Sequence, residues 1–170
     1  MKKPRSSEHG GSSFLEFVLI GIPMIFVLFS TAELARGMWT YHTLSYAVRE
    51  GTRYASVHGL NCASSPNSCT VSLGQIAAVI KQAGVGLDPA KLNLVFTPYS
   101  GSATSCVLND CLNNNNTWPP TSANTPGLTV SISAIYPFAS GIALVWPGVK
   151  AYGPYPAVYF PAASTDIIQF

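Results

Sequence analysis

Glu16 is the residue whose type and surroundings most clearly indicate chemistry. It lies at the start of an apolar run, and the sixteen residues between it and Glu33 carry no charge. A carboxylate at the edge of hydrocarbon costs a few kcal/mol, so it usually has a partner or a task. Gly11 lies five residues before it, and the basic leader Lys2-Lys3-Pro4-Arg5 precedes both. The pattern predicts a functional carboxylate at the start of a membrane segment.

The cysteines are the second group with possible chemistry. Their number is four, which in an oxidising compartment predicts two disulfides. Cys62 and Cys69 are separated by six residues and Cys106 and Cys111 by four, so of three connectivities we expect the two local ones. A zinc site is the rival interpretation, but neither pair has CxxC spacing and the nearest histidines fall on a predicted helix. We therefore expect no metal and no cofactor.

No group of residues indicates catalysis or nucleic-acid binding. The chain lacks GxSxG, HExxH and phosphate-loop motifs, and Asp88, Asp110 and Asp166 stand singly. Charged residues make up only 9% of the chain, and the net charge of +2 comes from the N-terminal region, because the charges beyond Tyr54 sum to zero. Without a basic surface, binding to phosphates is not expected. We predict a protein that is not an enzyme.

The apolar run predicts a membrane span. The three basic residues before it keep the leader cytoplasmic and send the C-terminus outward. Residues 14–35 are long enough to cross a bilayer if Glu16 and Glu33 lie near its two interfaces. A secretory signal peptide is the alternative, because Ser30-Thr31-Ala32 offers the small residues that precede such a cleavage site.

The helix is expected to continue beyond the membrane, from about Ser12 to His58. Gly21 and Pro23 are positions where it could kink or melt locally, and Gly59 is a plausible C-terminal stop. Residues that recur at 4-3 spacing form one stripe along it: Leu34, Met38, Tyr41, Ser45, Val48, Thr52 and Ala55.

These residues resemble a known family. The Gly11-x4-Glu16-Phe17 signal, the apolar run with Pro23, and the block Ala47-Val48-Arg49-Glu50-Gly51-Thr52-Arg53-Tyr54-Ala55 are similar to the TadE-like pseudopilins. These minor pilins belong to the tight-adherence (Tad) branch of type IV pilus systems. The resemblance covers about residues 10–58, roughly a third of the chain.

The resemblance implies a processed subunit. A prepilin peptidase would cut between Gly11 and Ser12, which leaves Glu16 fifth in the mature chain; Gly10 is the competing site. Glu16 would then pair with the amino group of a neighbouring subunit, because a charge in an apolar filament core is tolerated only when it is paired. The implied partners are the peptidase, other pilin subunits, Tad assembly proteins and, before assembly, the bacterial inner membrane.

The Ala47–Ala55 block allows two interpretations. Arg49 and Arg53 share a helical face, and Glu50 lies three residues before Arg53, so the block could be a solvated face with one weak ion pair. It could instead be a subunit contact in which Gly51 permits close backbone approach. The expected assembly residues are Glu16 and Phe17, which the resemblance implies, together with Arg49, Glu50, Gly51, Arg53 and Tyr54 of the block.

The rest of the chain predicts a small α+β head with an antiparallel sheet and one short helix. Thr70 or Ser72 can cap that helix, whose apolar positions are Leu73, Ile76, Ala77, Ile80 and Ala83 and whose end is Gly84. Residues 92–97 and 128–134 alternate as strands do, and a last strand is expected in 159–170. Residues 100–127 are turn-rich and predict a long exposed insertion. Residues 137–161, rich in proline and aromatics, either cover the core or bind a partner.

The expected organisation is a leader at 1–11, a transmembrane and assembly helix at 12–58, and a head at 59–170. The expected function is that of a pilin-like structural subunit of an adhesive extracellular filament, whose head is periplasmic before assembly. An uncleaved bitopic protein with a ligand-binding or sensing head is the alternative, and a protein secreted after cleavage at Ala32 is a third possibility. The three predict mature N-termini at Ser12, Met1 and Glu33.

Overall fold

A computed structural model describes residues 10–59, 71–139, 141 and 158–169, with residues 10–13 described by their backbone alone. The chain divides into two compact units, Met1–Arg36 and Gly37–Phe170. The described part is α+β, with a long N-terminal helix, two further short helices and an antiparallel sheet, as predicted. One of the short helices was not predicted.

Helix α1 spans Gly10–Ser56 and is helical through Gly21 and Pro23, so the local melting considered there does not occur. Its part in the second unit buries one face, formed by Leu44, Ala47, Val48, Gly51, Thr52 and Ala55. The predicted stripe is therefore correct at its C-terminal end. Its N-terminal members, Leu34, Met38 and Tyr41, are exposed. The prediction fails there because periodicity identifies an apolar stripe without showing which part of it another element covers.

Helix α2 spans Leu73–Ala83 and begins and ends where its sequence predicts. Ser72 is the N-cap, and it forms a capping box with Gln75: the Ser72 hydroxyl accepts from the Gln75 N–H at 3.2 Å, and the Gln75 side chain accepts from the Ser72 N–H at 2.9 Å. Gly84 ends the helix and donates its N–H to the Ile80 carbonyl at 2.8 Å. The buried face of α2 includes Leu73, Ile76, Ala77 and Ile80.

The sheet has the strand order β2-β1-β3-β4, with all neighbours antiparallel. The strands are β1 (Asn93–Pro98), β2 (Thr104–Val107), β3 (Thr129–Phe138) and β4 (Val158–Ile167). The three predicted strands are thus present as β1, β3 and β4. Alternate residues of β1 and β3, among them Leu94, Phe96 and Ile132, form one core with the buried faces of α1 and α2.

Residues 100–127 are only partly the exposed insertion that their sequence predicts. They contribute β2, the one-turn helix α3 (Leu108–Cys111) and a 3-10 turn at Thr121–Ala123. Leu108 and Trp118 are buried, and the Trp118 ring contacts Phe96 edge-on with centroids 5.4 Å apart. The prediction missed this burial because these apolar residues are too widely spaced to form a period, although each one reaches the core.

Cys106 and Cys111 form a disulfide with Cα atoms 5.6 Å apart, which is the local pairing that the sequence predicts. It connects β2 to the end of α3. The predicted Cys62–Cys69 pair lies outside the described residues, and the proline-rich segment 137–161 is described only at its ends.

Candidate functional site

The first unit presents an apolar helix surface. Large hydrophobic side chains from Phe14 to Phe29 are mostly exposed, Leu19 by 76%. With a mean hydropathy of 2.2 in its most apolar window, α1 is long and apolar enough to cross a membrane. Apolar surface left in water costs about 25 cal/mol per Å². This segment therefore indicates membrane anchoring.

The expected processing and pairing residues lie at the start of this surface. The predicted scissile bond between Gly11 and Ser12 is in the first turn of α1. Glu16 and Phe17 are both exposed on the helix that follows. At the other end of the uncharged run, the Glu33 carboxylate pairs with the Arg36 guanidinium at 3.1 Å.

The Ala47–Ala55 block divides between two faces of α1 in the second unit. Its small and apolar residues are buried, whereas Arg49 and Arg53 are exposed and Glu50 is half-buried. Tyr54 is half-buried, and its ring lies 4.4 Å from the His58 ring by centroids. One face of the block therefore holds the head together, and the other is available for contacts.

Gly51 belongs to the buried face and contacts α2 of the same chain. A Cβ atom at this position would lie 2.5 Å from the Ile80 Cγ1 and 2.8 Å from the Ile80 Cδ1. Since Cβ contacts below about 3 Å do not occur in relaxed packing, α1 and α2 approach this closely only because residue 51 has no side chain. This explains the glycine without a second subunit, and its expected assembly role stays a prediction.

The outward face of the block lines a cleft of about 550 Å³ against the last strand. The helix side of the cleft is formed by Tyr46, Arg49, Glu50, Arg53 and Val57, and the strand side by Ser164, Thr165, Asp166 and Gln169. The three charged residues of the helix side are among those that the sequence singled out for assembly, a role that stays a prediction. The sequence does not indicate the strand side, which has no local motif.

Two hydrogen bonds close the cleft where α1 ends. The Ser56 hydroxyl donates to the Asp166 carboxylate at 2.8 Å, and the Gln169 N–H donates to the Ser56 carbonyl at 3.0 Å. The first of these bonds connects positions 110 residues apart in the chain. The position of β4 beside α1 therefore depends partly on a buried serine that the sequence did not single out.

The arginines of the cleft are available for an external partner. In the described part of the chain, the ion pairs are Glu33–Arg36 and Asp88–Lys91, so neither Arg49 nor Arg53 is paired with a carboxylate. The weak Glu50–Arg53 pair considered from the sequence is not formed. The described residues also contain no group of three or more His, Cys, Asp or Glu side chains that could hold a metal ion.

Comparison with known proteins bears on the N-terminal part of the chain. Residues 11–53 match the family model of TadE-like proteins. This segment is TadE-like. The match extends from the predicted cleavage position through the apolar run and into the Ala47–Ala55 block. No curated protein and no solved structure matches the chain.

The TadE-like family is structural and pilus-related rather than enzymatic. The TadE-like segment indicates a protein associated with Tad pilus components and carrying an N-terminal apolar helix. Most of the head, including α2 and all four strands, lies beyond the matched residues.

Proposed function

We propose that this chain is a pilin-like structural subunit, processed by a prepilin peptidase and assembled into or at the base of an extracellular Tad-type filament for adhesion. One observation carries the proposal: the TadE-like segment is a continuous helix whose large apolar side chains from Phe14 to Phe29 are mostly exposed. Such a surface suits lipid before assembly and copies of the same helix afterwards. The head is then periplasmic in the precursor and faces outward in the filament.

Processing prepares the helix for assembly. Cleavage between Gly11 and Ser12 removes the charged residues of the leader, Lys2, Lys3, Arg5 and Glu8. Each charged side chain costs about 2.5–3.5 kcal/mol at the centre of the bilayer. The leader charges would have to cross that region when the helix moves outward into a filament, so their removal makes this movement easier. Glu16 then becomes the fifth residue and pairs with the new amino terminus of a neighbouring subunit.

Mass spectrometry of the mature N-terminus tests processing. We expect a Ser12 start in membrane and sheared fractions, and a Met1 start in cells without the peptidase. Gly11→Val should block the cut, because the peptidase cleaves after this glycine, and Gly10→Val is the matched control that should still be cut. A Met1 start in cells with the peptidase would contradict the proposal, as would a Glu33 start in the medium.

Arg49 and Arg53 are proposed to contact a neighbouring subunit or assembly protein. Both are exposed, both line the cleft, and neither is paired within the described chain. A charge-assisted hydrogen bond contributes more binding free energy at a desolvated contact than at an open surface. A carboxylate on the partner would therefore stabilise the contact by pairing with these arginines.

Alanine substitution of both arginines tests this contact. We expect the double variant Arg49→Ala, Arg53→Ala to reduce the subunit in sheared filaments by at least about tenfold, the effect of roughly 1.4 kcal/mol. Cleavage and the thermal unfolding midpoint should stay unchanged, because neither side chain is buried. Lys81→Ala, which removes an exposed charge from α2, is the matched control. Normal assembly of the double variant would refute the contact.

A bitopic protein with a ligand-binding head is the second candidate, and the cleft is the observation that favours it. Its volume of about 550 Å³ lies within the range of small-molecule sites, about 300–1,000 Å³. In that case the mature protein begins at Met1, and the double arginine variant retains its membrane location but loses the ligand.

A further inference from the structure

Strand β4 forms the longer edge of the sheet. It has ten residues, and in the described part of the chain it pairs with β3 alone, in one register without a bulge. The strand at the opposite edge, β2, has only four residues. Proteins usually protect a long edge with charges, bulges, prolines or a covering element, because its unpaired backbone groups can bind another strand. In β4 the proline is Pro161, which leaves the C-terminal half of the strand able to pair.

The backbone groups that point away from β3 belong to the odd-numbered residues of β4. The Ile168 N–H donates to the Leu128 carbonyl at 2.9 Å, so the even-numbered residues bond to β3. The Gln169 N–H accordingly points the other way and donates to the Ser56 carbonyl at 3.0 Å. Pro161, which has no N–H, also falls in the outward set.

Ala163 and Thr165 are the residues whose outward N–H groups can bind another strand. The Ile167 N–H belongs to the same set, but it donates to the Asp166 carboxylate at 2.8 Å. No described residue bonds to the outward backbone groups of Ala163 or Thr165. These two residues therefore offer two donors and two acceptors, which is the hydrogen-bonding pattern of strand addition to a sheet edge.

Helix α1 runs beside β4 and flanks this edge. The Tyr41 and Phe160 ring centroids lie 6.0 Å apart near one end of β4, and the Ser56 hydroxyl reaches Asp166 near the other end. The cleft joins Thr165 to the outward flank of α1. A strand added to β4 would therefore lie between a sheet edge and a helix, and every second side chain of that strand would face α1.

The flank of α1 specifies acidic side chains in the added strand. Arg49 and Arg53 are four residues apart, a rise of about 6 Å. Alternate residues of a strand are about 6.6 Å apart, so carboxylates at two alternate positions match the two guanidinium groups. Glu50 and Asp166 also line the cleft. However, both oxygens of Asp166 are hydrogen-bonded within the chain, and Glu50 forms no ion pair with either arginine in the described structure.

We propose that β4 binds an extended segment of a partner protein by strand addition, with acidic side chains at alternate positions of that segment against Arg49 and Arg53. The inference rests on the proposed contact of these arginines with a neighbouring subunit or assembly protein, and it adds the form of that contact. The partner is a different protein rather than a second copy, because this sequence has no two acidic residues at positions i and i+2.

Amide hydrogen exchange of the full-length chain in detergent micelles tests the edge. The probe is a capped peptide that alternates valine with aspartate. We expect the Ala163 and Thr165 amides to exchange fast in the chain alone and at least about tenfold more slowly with the peptide. Ala162 and Ser164 are controls in the same strand, because their amides bond to β3 and should exchange slowly in both samples. The same peptide with asparagine in place of aspartate should leave all four rates unchanged.

Three results of this experiment would overturn the proposal. Slow exchange at Ala163 and Thr165 in the chain alone would mean that another segment of the same chain covers the edge. Unchanged exchange with the aspartate peptide would exclude strand addition by an acidic segment. Equal slowing by the asparagine peptide would show that the arginines do not select the partner.

Ala163→Pro tests strand addition during assembly, separately from the arginine contact. Proline removes the outward N–H, whereas Ala163→Ser keeps it and is the matched control. We expect Ala163→Pro to reduce the subunit in sheared filaments by at least about tenfold and Ala163→Ser to assemble as the parent does. If Ala163→Pro lowers the unfolding midpoint, Thr165→Pro replaces it with Thr165→Val as control, and the same result is expected.

The two levels of the proposal fail in different ways. Normal assembly of the proline variant together with lost assembly of the double arginine variant would overturn strand addition and leave the proposed subunit contact in place. Absence of the parent chain from filaments would instead contradict the proposed function. Slower exchange with the aspartate peptide would then still support strand addition, because that measurement requires neither cleavage nor a filament.

Discussion

At the residue scale, Gly51 shows that one block of sequence serves two purposes. The block combines exposed arginines with a glycine that packs against Ile80. From sequence, the glycine and the arginines are equally good candidates for a subunit contact. In the structure the glycine faces the interior and the arginines face the cleft. Losing the glycine should therefore affect folding, and losing the arginines should affect assembly.

Gly51→Ala should destabilise the head by about 1–3 kcal/mol, because the added methyl group forces α1 and α2 apart. The measurement is the thermal or denaturant midpoint of the detergent-solubilised full-length chain. Gly37→Ala in the same helix is the matched control. Its Cβ would make ordinary contacts of 3.7–3.8 Å, so the higher helix propensity of alanine should stabilise it by up to about 1 kcal/mol. Equal effects of the two substitutions would refute the packing account.

At the scale of elements, α2 is the helix whose boundaries are most completely encoded locally. Ser72 and Gln75 cap its start reciprocally, its apolar residues recur at helical spacing, and Gly84 follows its end. By contrast, β2 is a short strand whose place at the sheet edge depends on pairing with β1. Local signals thus suffice for α2, whereas β2 requires its neighbour.

Ser72→Ala should destabilise the head by about 1 kcal/mol, because the Gln75 N–H loses its acceptor at the helix start. The unfolding midpoint of the full-length chain reports this change. Ser102→Ala, at an exposed position in the β1–β2 turn, is the matched control and should leave the midpoint within about 0.5 kcal/mol of the parent. A midpoint unchanged by Ser72→Ala would show that the capping box contributes nothing to stability.

At the scale of the whole molecule, the two compact units do not divide at the end of α1. The division lies between Arg36 and Gly37, and among the described residues the buried core begins at position 44. The C-terminal part of α1 therefore belongs to the head, and its buried face supplies Leu44, Ala47 and Val48 to the core. The sequence predicted a boundary at residue 59, where the helix ends, because it shows where an element stops and not which core it joins.

A fragment of residues 37–170 should therefore fold by itself, with the circular dichroism and thermal midpoint of the head in the full-length chain. A fragment of residues 59–170 should not fold, because it lacks the α1 face that covers Ile76, Ile80 and the sheet. Dispersed amide signals in nuclear magnetic resonance spectra distinguish the two results. A folded 59–170 fragment would contradict this division of the core.

The sequence by itself predicted α1, α2, three of the four strands and the resemblance of the N-terminal segment to TadE-like proteins. The capped α2 and the alternating strands β1 and β3 are encoded in local spacing, which acts over a few residues. The resemblance of the N-terminal segment to TadE-like proteins is carried by its motifs. The local spacing of Cys106 and Cys111 likewise predicted their disulfide.

Only the tertiary structure decided what packs against what. It placed Gly51 against Ile80, brought Asp166 to Ser56, and buried Leu108 and Trp118 from a segment that looked exposed. It also formed the cleft, which joins residues far apart in the chain. The physical reason is that burial and hydrogen bonding between distant residues depend on how whole faces fit together. A period of 3.6 or 2 residues marks a face but does not specify its partner.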